Sequence, residues 1–342
     1  MIDKAQLTAF VAQARNAPRL TGMYEEFGRL AAGTSGRPIK TVTLDASLLR
    51  SDAPSLEYAK IRQRHACTFN QHFVASLPYV LEEQCRLGAG LLKYGQFVTE
   101  NENRPMALYT LGDGSGVTSR TLAEMSQGNI HTLSCSPNPE NKAAFQALNV
   151  SPNAHFYLGP FFDVTKTSLA ELGLEEFVGG FDVIVEDTTF QMYGKERLEP
   201  LLLAKDNLKS DGIFILIEKL MNEDSAIFVD REVAKDSEFK ARYFDATDIV
   251  KKQTMILSTL DQQLVTLTEL AKTLKELFKF AVVTWNSGNF YTVAASNSLE
   301  NLQQLVGSLI PAAITPEFCH IELPLVLVGE DAKYNFRLSE LS

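Results

Sequence analysis

The chain of 342 residues is 45% hydrophobic and 22% charged, a composition typical of globular proteins. Its formal net charge of −10 argues against a broad nucleic-acid-binding surface. Its apolar runs, of which 213–217 and 323–328 are examples, are too short to span a bilayer, so no membrane partner is expected.

The four cysteines occupy positions 67, 85, 135 and 319. They form no CxxC pair and have no zinc-ligand spacing with a histidine, so we expect reduced thiols and no bound metal. The first twenty residues carry charges throughout and lack the apolar central block of a signal peptide. A cytoplasmic protein is the resulting expectation.

The first hundred residues are predicted to be helical, because apolar side chains recur there at helical spacing. The pattern covers 3–14, 20–32 and 55–92, and Pro78 should break or bend the last of these segments. We therefore assign 1–100 as a helical lid or cap.

Short apolar runs alternate with helical patterns from about residue 106. The runs lie at 106–111, 129–135, 154–159, 181–187 and 212–218. Alternation of this kind predicts an α/β fold with a parallel sheet and helices on both of its faces. Continuous apolar runs are typical of strands that are buried on both sides.

The alternation stops after residue 219. A mostly helical insert is predicted at about 220–280, followed by two strand-like runs that flank Asn286-Ser287-Gly288 and predict a hairpin. The main domain is therefore assigned to 101–296. A C-terminal extension, 297–342, should contain one helix and a strand-like run at 321–328.

The stretch GDGSG follows the first predicted strand and precedes a helical pattern, which is how α/β proteins hold nucleotide-like ligands. Its glycines, Gly112, Gly114 and Gly116, form GxGxG rather than the dinucleotide fingerprint GxGxxG. Val117 stands where the third dinucleotide glycine belongs. The second strand ends at Leu133-Ser134-Cys135, without the carboxylate that would bind a ribose hydroxyl.

The GxGxG turn resembles motif I of the class I S-adenosylmethionine (SAM)-dependent methyltransferases. FDVIVED at 181–187 is similar to the family's fourth strand, LKSDGIFILIEK at 208–219 to its fifth, and the hairpin at 280–295 to its reversed last strand. The resemblance covers roughly 105–296. It implies a seven-stranded, mostly parallel Rossmann-like sheet in the order 3-2-1-4-5-7-6, with SAM as cofactor.

The resemblance also implies cofactor-binding residues. Gly112, Asp113, Gly114 and Gly116 should approach the methionine part of SAM, whose carboxylate would meet the N–H groups at the start of the next helix. Thr110 stands where the family usually has an acidic residue.

Two further positions follow the next strands. Ser134 or Ser136 occupies the place of the acidic residue that usually binds the ribose, and a neutral hydroxyl is a weaker acceptor than a carboxylate. Phe161 and Phe162 should border the adenine, although core packing would explain either ring equally well.

Four residues are candidates for catalysis. Asp187 ends the fourth strand, Glu218 ends the fifth, and both should face the ligand cleft. His65 and His72 lie seven residues apart on a predicted helix over 55–77, so they share a face that could present a general base to the cleft. The alternatives are a structural ion pair for Glu218 and bystander histidines.

The acidic charge favours a small-molecule acceptor over a nucleic acid. Phe239, Tyr243 and Phe244 of the insert, with Tyr58 and Phe69 of the lid, are predicted to form an apolar or aromatic acceptor pocket. A homodimer is left open. Two other functions also stay open: a catalytically idle SAM-fold binding or scaffold protein, and an α/β enzyme that uses a different nucleotide.

Overall fold

The computed structural model describes residues 4–17 and 22–329. The described residues contain one sheet of eight strands in the order β3-β2-β1-β4-β5-β7-β6-β8. The strands are β1 Met106–Leu111, β2 Ile130–Ser136, β3 Ala154–Leu158, β4 Phe181–Asp187, β5 Leu208–Lys219, β6 Phe280–Ser287, β7 Phe290–Ser296 and β8 Leu325–Val328.

The pairing confirms the predicted Rossmann-like α/β fold. Strands β1 to β5 pair in parallel, whereas β7 pairs antiparallel with both β5 and β6. The sheet has one strand more than the seven predicted, because β8 pairs antiparallel with β6. This eighth strand lies in the run predicted to be strand-like at 321–328, and residues 330–342 of the C-terminal extension lie outside the described residues.

The apolar runs form strands because both faces of the sheet are covered. Every residue of β1 and of β4 is buried. Neighbouring residues of one strand serve opposite faces: Leu108 belongs to one apolar cluster and Tyr109 to the other.

The N-terminal region is helical, with one break that was not predicted. Its helices are Lys4–Ala14, Met23–Ala31, Ala53–His65, Thr68–Ser76 and Val80–Glu102. The predicted continuous helix over 55–77 is wrong, because Ala66 and Cys67 are extended. The side chain of Asn70 accepts a hydrogen bond from the Cys67 backbone N–H at 3.1 Å and so caps the second helix.

The remaining helices cover the sheet or form the insert after β5. Those on the sheet are Val117–Met125, Pro139–Leu148, Lys166–Glu171, Leu198–Lys205, Leu267–Leu277 and Leu299–Gly307. The insert contains the helices Ser225–Ala234, Ala246–Lys252 and Ser258–Leu260 and the π-helical segments Lys235–Phe239 and Gln253–Leu257. Within residues 4–17 and 22–329, no helix is both long and apolar enough to cross a membrane.

Candidate functional site

A cavity of about 180 Å³ lies where β1, β2, β4 and β5 end, beneath the lid and the insert. Ligands of open α/β sheets bind at this edge. The strand ends contribute Gly112, Asp113, Gly114, Ser136, Asn138, Asp187, Thr188 and Lys219, the lid contributes Phe69, His72 and Phe73, and the insert contributes Lys235, Lys240 and Lys252.

The glycine turn begins at the end of β1. Its glycines are required by the fold, whether or not a ligand is bound. Gly112, Gly114 and Gly116 have φ values of 90°, 54° and 74°, which disfavour residues with a Cβ. A Cβ on Gly112 would lie 2.1 Å from the carbonyl oxygen of Asp187, and one on Gly114 would lie 2.7 Å from the ring of Phe69. Gly112 and Gly114 line the cavity, but Gly116 packs away from it.

Asp113 lies in the glycine turn, before the helix Val117–Met125. Its carboxylate accepts hydrogen bonds from the backbone N–H groups of Thr118 at 2.9 Å and Ser119 at 3.2 Å. Burial raises the pKa of Asp113 to about 6, although these hydrogen bonds act in the opposite direction. Because both N–H groups already have an acceptor, the helix N-terminus is less available to a ligand carboxylate than was predicted.

Thr110 and Ser134 lie below the turn and do not line the cavity. The strand register places them opposite each other. Their hydroxyl oxygens are 2.9 Å apart, and Thr110 lies at the same distance from the hydroxyl of Ser119. Both side chains are buried, so they hold β1, β2 and the next helix together rather than reaching a ligand.

The end of β2 presents two asparagines that the sequence analysis missed. Asn138 and Asn141 line the cavity with Ser136. The Asn141 amide donates to the Ser136 hydroxyl at 2.9 Å, while its carbonyl Oδ1 is buried without a hydrogen-bond partner among the described residues. An acceptor left free at this position is a feature of a ligand site. The polar run Ser136-Pro137-Asn138 after a buried strand was the available signal.

The two phenylalanines after β3, Phe161 and Phe162, lie in different environments. Phe161 lines the cavity and packs against Tyr193, with 5.4 Å between ring centroids. Phe162 does not line it, and the guanidinium of Arg15 lies 5.4 Å from its ring centroid. Of the five aromatic residues predicted to form an acceptor pocket, only Phe69 lines the cavity. Phe239 instead packs against Tyr79.

Asp187 lies at the end of β4, lines the cavity and is buried. Burial raises its pKa to about 8, and the charge of Asp113 adds to the rise. Within the described residues it makes no ion pair, and the Thr188 hydroxyl approaches one of its oxygens at only 3.5 Å. The side chain is therefore a buried acid without an ion pair, and the charge of Arg62 and a hydrogen bond from Gln84 only partly oppose the rise in its pKa.

Glu218 and His65 do not reach the cavity. Glu218 pairs with Arg197, with 3.0 Å between Oε1 and Nε, which is the structural alternative considered above. His65 ends its helix on the far side of the break, where its Nε2 lies 2.6 Å from Glu124 and its Nδ1 3.1 Å from Arg120. The break at Ala66 and Cys67 places His65 and His72 on different helices and removes their common face.

His72 does line the cavity. Its Nδ1 lies 2.5 Å from the carbonyl oxygen of Gly36, so Nδ1 carries the proton and Nε2 is the acceptor. Nε2 contacts Nζ of Lys252. Burial, helped by the charge of Lys252, lowers the pKa of His72 to about 3. The imidazole is therefore neutral, and its basic nitrogen is occupied.

Four lysines line the part of the cavity next to the insert: Lys219, Lys235, Lys240 and Lys252. They were not predicted from the sequence, because they come from β5 and from separate segments of the insert. Within the described residues, no group of three or more His, Cys, Asp or Glu side chains is arranged to hold a metal ion.

The order of the strands and the glycine turn after β1 define a Rossmann-like α/β fold, and the first seven strands have the order that the sequence resemblance implied. No protein-family model and no curated protein matches the chain.

Solved structures that resemble it include two plantazolicin methyltransferases. BamL, in complex with a triazolic desmethylPZN analog and SAH, is 12% identical with a TM-score of 0.45, covering 75% of this chain and 100% of that chain. BpumL, with a monoazolic analog and SAH, is 11% identical with a TM-score of 0.44, covering 82% and 99%. YjhP from E. coli is 16% identical with a TM-score of 0.32, covering 55% and 64%. Likenesses this distant carry no argument about function, which is drawn below from the site.

Proposed function

We propose that the protein is a SAM-dependent methyltransferase that acts on a small-molecule acceptor. The observation that carries the proposal is the cavity at the ends of β1, β2 and β4, bounded by the glycine turn and by the free carbonyl of Asn141. The sequence motifs around the cavity resemble those of the same family, and its position is where an open α/β sheet binds ligands.

The residues of the cavity fit the parts of SAM. The unpaired Oδ1 of Asn141 can accept a hydrogen bond from a ribose hydroxyl, the task that an acidic residue usually performs in the family. Phe161 offers an aromatic face to adenine. Asp113 and Asp187 can compensate the positive charges of the cofactor's ammonium and sulfonium groups.

SAM supplies a methyl group on a good leaving group, so the protein's part is to align the acceptor and exclude water. The lid and the insert close the cavity from above. Asp187 lines the cavity next to the glycine turn, and bound SAM would keep its carboxyl ionised, so it is the group that we expect to take a proton from an acceptor.

Calorimetric titration with SAM and with its demethylated product, S-adenosylhomocysteine (SAH), tests the proposal. We expect both to bind, and Asn141→Ala to weaken both by about tenfold, the value of one hydrogen bond to a buried acceptor. Asn149→Ala is the matched control, since the Asn149 amide donates to the backbone of Ser151 and Ala154 outside the cavity. Absence of SAM and SAH binding to the folded parent protein would refute the proposal. Binding without methyl transfer to any acceptor would instead favour the idle binding protein.

A further inference from the structure

The four lysines that line the insert side of the cavity, Lys219, Lys235, Lys240 and Lys252, are here called the lysine cluster. Three of them are almost completely buried, with side-chain exposures of 4% for Lys219, 6% for Lys235 and 2% for Lys240. Lysine is rarely buried unless it is paired. Four in one cavity therefore require an explanation.

Acidic residues compensate three of the four. Lys219 pairs with Glu232 at 2.9 Å and Asp261 at 2.6 Å. Lys235 pairs with Glu232 at 3.0 Å and with Asp236 at 2.8 Å.

Lys240 has one acidic partner, which it shares with Lys235. Its Nζ lies 2.9 Å from the same Oδ1 of Asp236 that Lys235 contacts. Burial, helped by the charge of the neighbouring Lys235, lowers the pKa of Lys240 to about 8.

Lys252 has no acidic partner within the described residues. Its Nζ contacts Nε2 of His72 and donates to the hydroxyl of Ser76 at 3.2 Å. Burial lowers the pKa of Lys252 well below its usual value, and the charges of Lys240 and Lys235 lower it further. The charges of Glu26 and Asp236 act in the opposite direction, but Glu26 already pairs with Arg29, and Asp236 with Lys235 and Lys240.

The walls beside the cluster are apolar. Phe73 and Leu77 come from the lid, Leu257 and Leu260 from the insert, and Phe290 from β7. A ligand at this end of the cavity thus meets hydrophobic surface on its body and, at one point, a lysine without an acidic partner among the described residues. A lysine in such a place is costly to charge, and an anion placed beside it removes that cost.

We propose that the lysine cluster binds an anionic group carried on an otherwise apolar acceptor, with Lys252 and Lys240 as its counter-ions. The assignment of this ligand as the acceptor rests on the proposed function. Binding of the anion raises the pKa of Lys252, because the anion supplies the compensating charge that the free protein lacks, so a change in its protonation on binding is an uptake.

Benzoate and benzamide are suitable probes, since they share shape and apolar area and differ in charge. Calorimetry on the SAH-saturated protein should show benzoate binding at least about tenfold more tightly than benzamide, as expected for charge-assisted hydrogen bonds in a buried site. The same titration in two buffers of different ionisation enthalpy should show uptake of a proton with benzoate and none with benzamide.

Lys252→Met should reduce the preference for benzoate to less than about twofold and abolish proton uptake. The control is Lys251→Met, which makes the same change of charge one residue earlier in the helix, at an exposed position, and should keep both. Lys240→Met is a second variant for the case that Lys252→Met does not fold. Its preference for benzoate over benzamide should also decrease.

Three results would overturn the proposal. The first is that the parent protein binds benzoate and benzamide equally or binds neither. The second is that folded Lys252→Met keeps the preference for benzoate over benzamide. The third is a loss of SAH affinity in Lys252→Met, which would assign the cluster to the cofactor. Absence of SAH binding to the folded parent protein is a separate result, and it would refute the proposed function.

Discussion

Asp187 should make the free protein less stable as the pH rises, and Asp187→Asn should remove that dependence. Its pKa is about 8 in the folded protein and 3.8 in an unfolded chain. Between these values the folded state holds a proton that the unfolded state has released, so the free energy of unfolding falls with increasing pH. Asparagine keeps the shape of the side chain and cannot ionise.

The size of the effect follows from the two pKa values. About three pH units separate 3.8 from pH 7, and each corresponds to about 1.4 kcal/mol, so ionisation at this site costs up to about 4 kcal/mol at pH 7. The effective dielectric constant around buried groups in proteins is higher than that of a dry interior, so about 2 kcal/mol is a realistic lower figure. The gain of Asp187→Asn over the parent should grow from near zero at pH 4 to this range at pH 7.

Urea denaturation of both proteins between pH 4 and pH 8 measures the gain. Asp182→Asn is the matched control, because it makes the same change in the same strand. Burial alone would raise the pKa of Asp182, but hydrogen bonds from Arg104 and Lys209 hold it below its usual value. That variant should be less stable than the parent at pH 5 to 8, with a difference that does not change across this range. A difference between Asp187→Asn and the parent that is flat from pH 4 to pH 8 would refute the reasoning.

Three other results are expected. Asn141→Asp should bind SAH at least as tightly as the parent, because a carboxylate is a stronger acceptor for a ribose hydroxyl, and a loss of affinity by calorimetry would contradict this. Gly114→Ala should lower stability by about 1–2 kcal/mol more than Gly288→Ala in thermal denaturation. Both glycines have positive φ, but only a Cβ on Gly114 meets a neighbour, the ring of Phe69, so Phe69→Ala should relieve the difference. The imidazole of His72 should remain neutral from pH 5 to pH 8 in NMR titrations, since burial lowers its pKa to about 3.

The strands of the sheet could be predicted because each is marked by its own short stretch of sequence. Strands β1 and β4 are buried on both faces, so each appears in the sequence as an unbroken apolar run, and both have the predicted bounds. The break at Cys67 could not be predicted in this way. Apolar spacing continues across it, and the break is formed by the contact between the Asn70 side chain and one backbone N–H.

The candidate site was less accessible from sequence, because its properties depend on which residues meet. Thr110 and Ser134 were predicted to contact the cofactor, but the register of β1 and β2 places them opposite each other, where their hydroxyls bond together. Lys219 and Lys252 are 33 positions apart and meet only when the insert folds over β5. Hydrophobic periodicity carries no information about such encounters.

The cavity is lined by a buried acid, Asp187, and by a half-buried lysine, Lys252, neither of which has an ion-pair partner among the described residues, and this arrangement predicts opposite proton linkages. A cationic cofactor beside Asp187 lowers the pKa of that carboxyl and releases a proton, so SAM should bind more tightly at pH 8 than at pH 6. An anionic probe beside Lys252 raises the pKa of that lysine, so its binding favours uptake of a proton.

Calorimetry in paired buffers should therefore show proton release for SAM alone, proton uptake for benzoate added afterwards, and little net exchange for the complete complex. Asp187→Asn should abolish only the release and Lys252→Met only the uptake. Release and uptake that disappear together in either variant would show that the two charges act as one coupled pair rather than as separate binding sites.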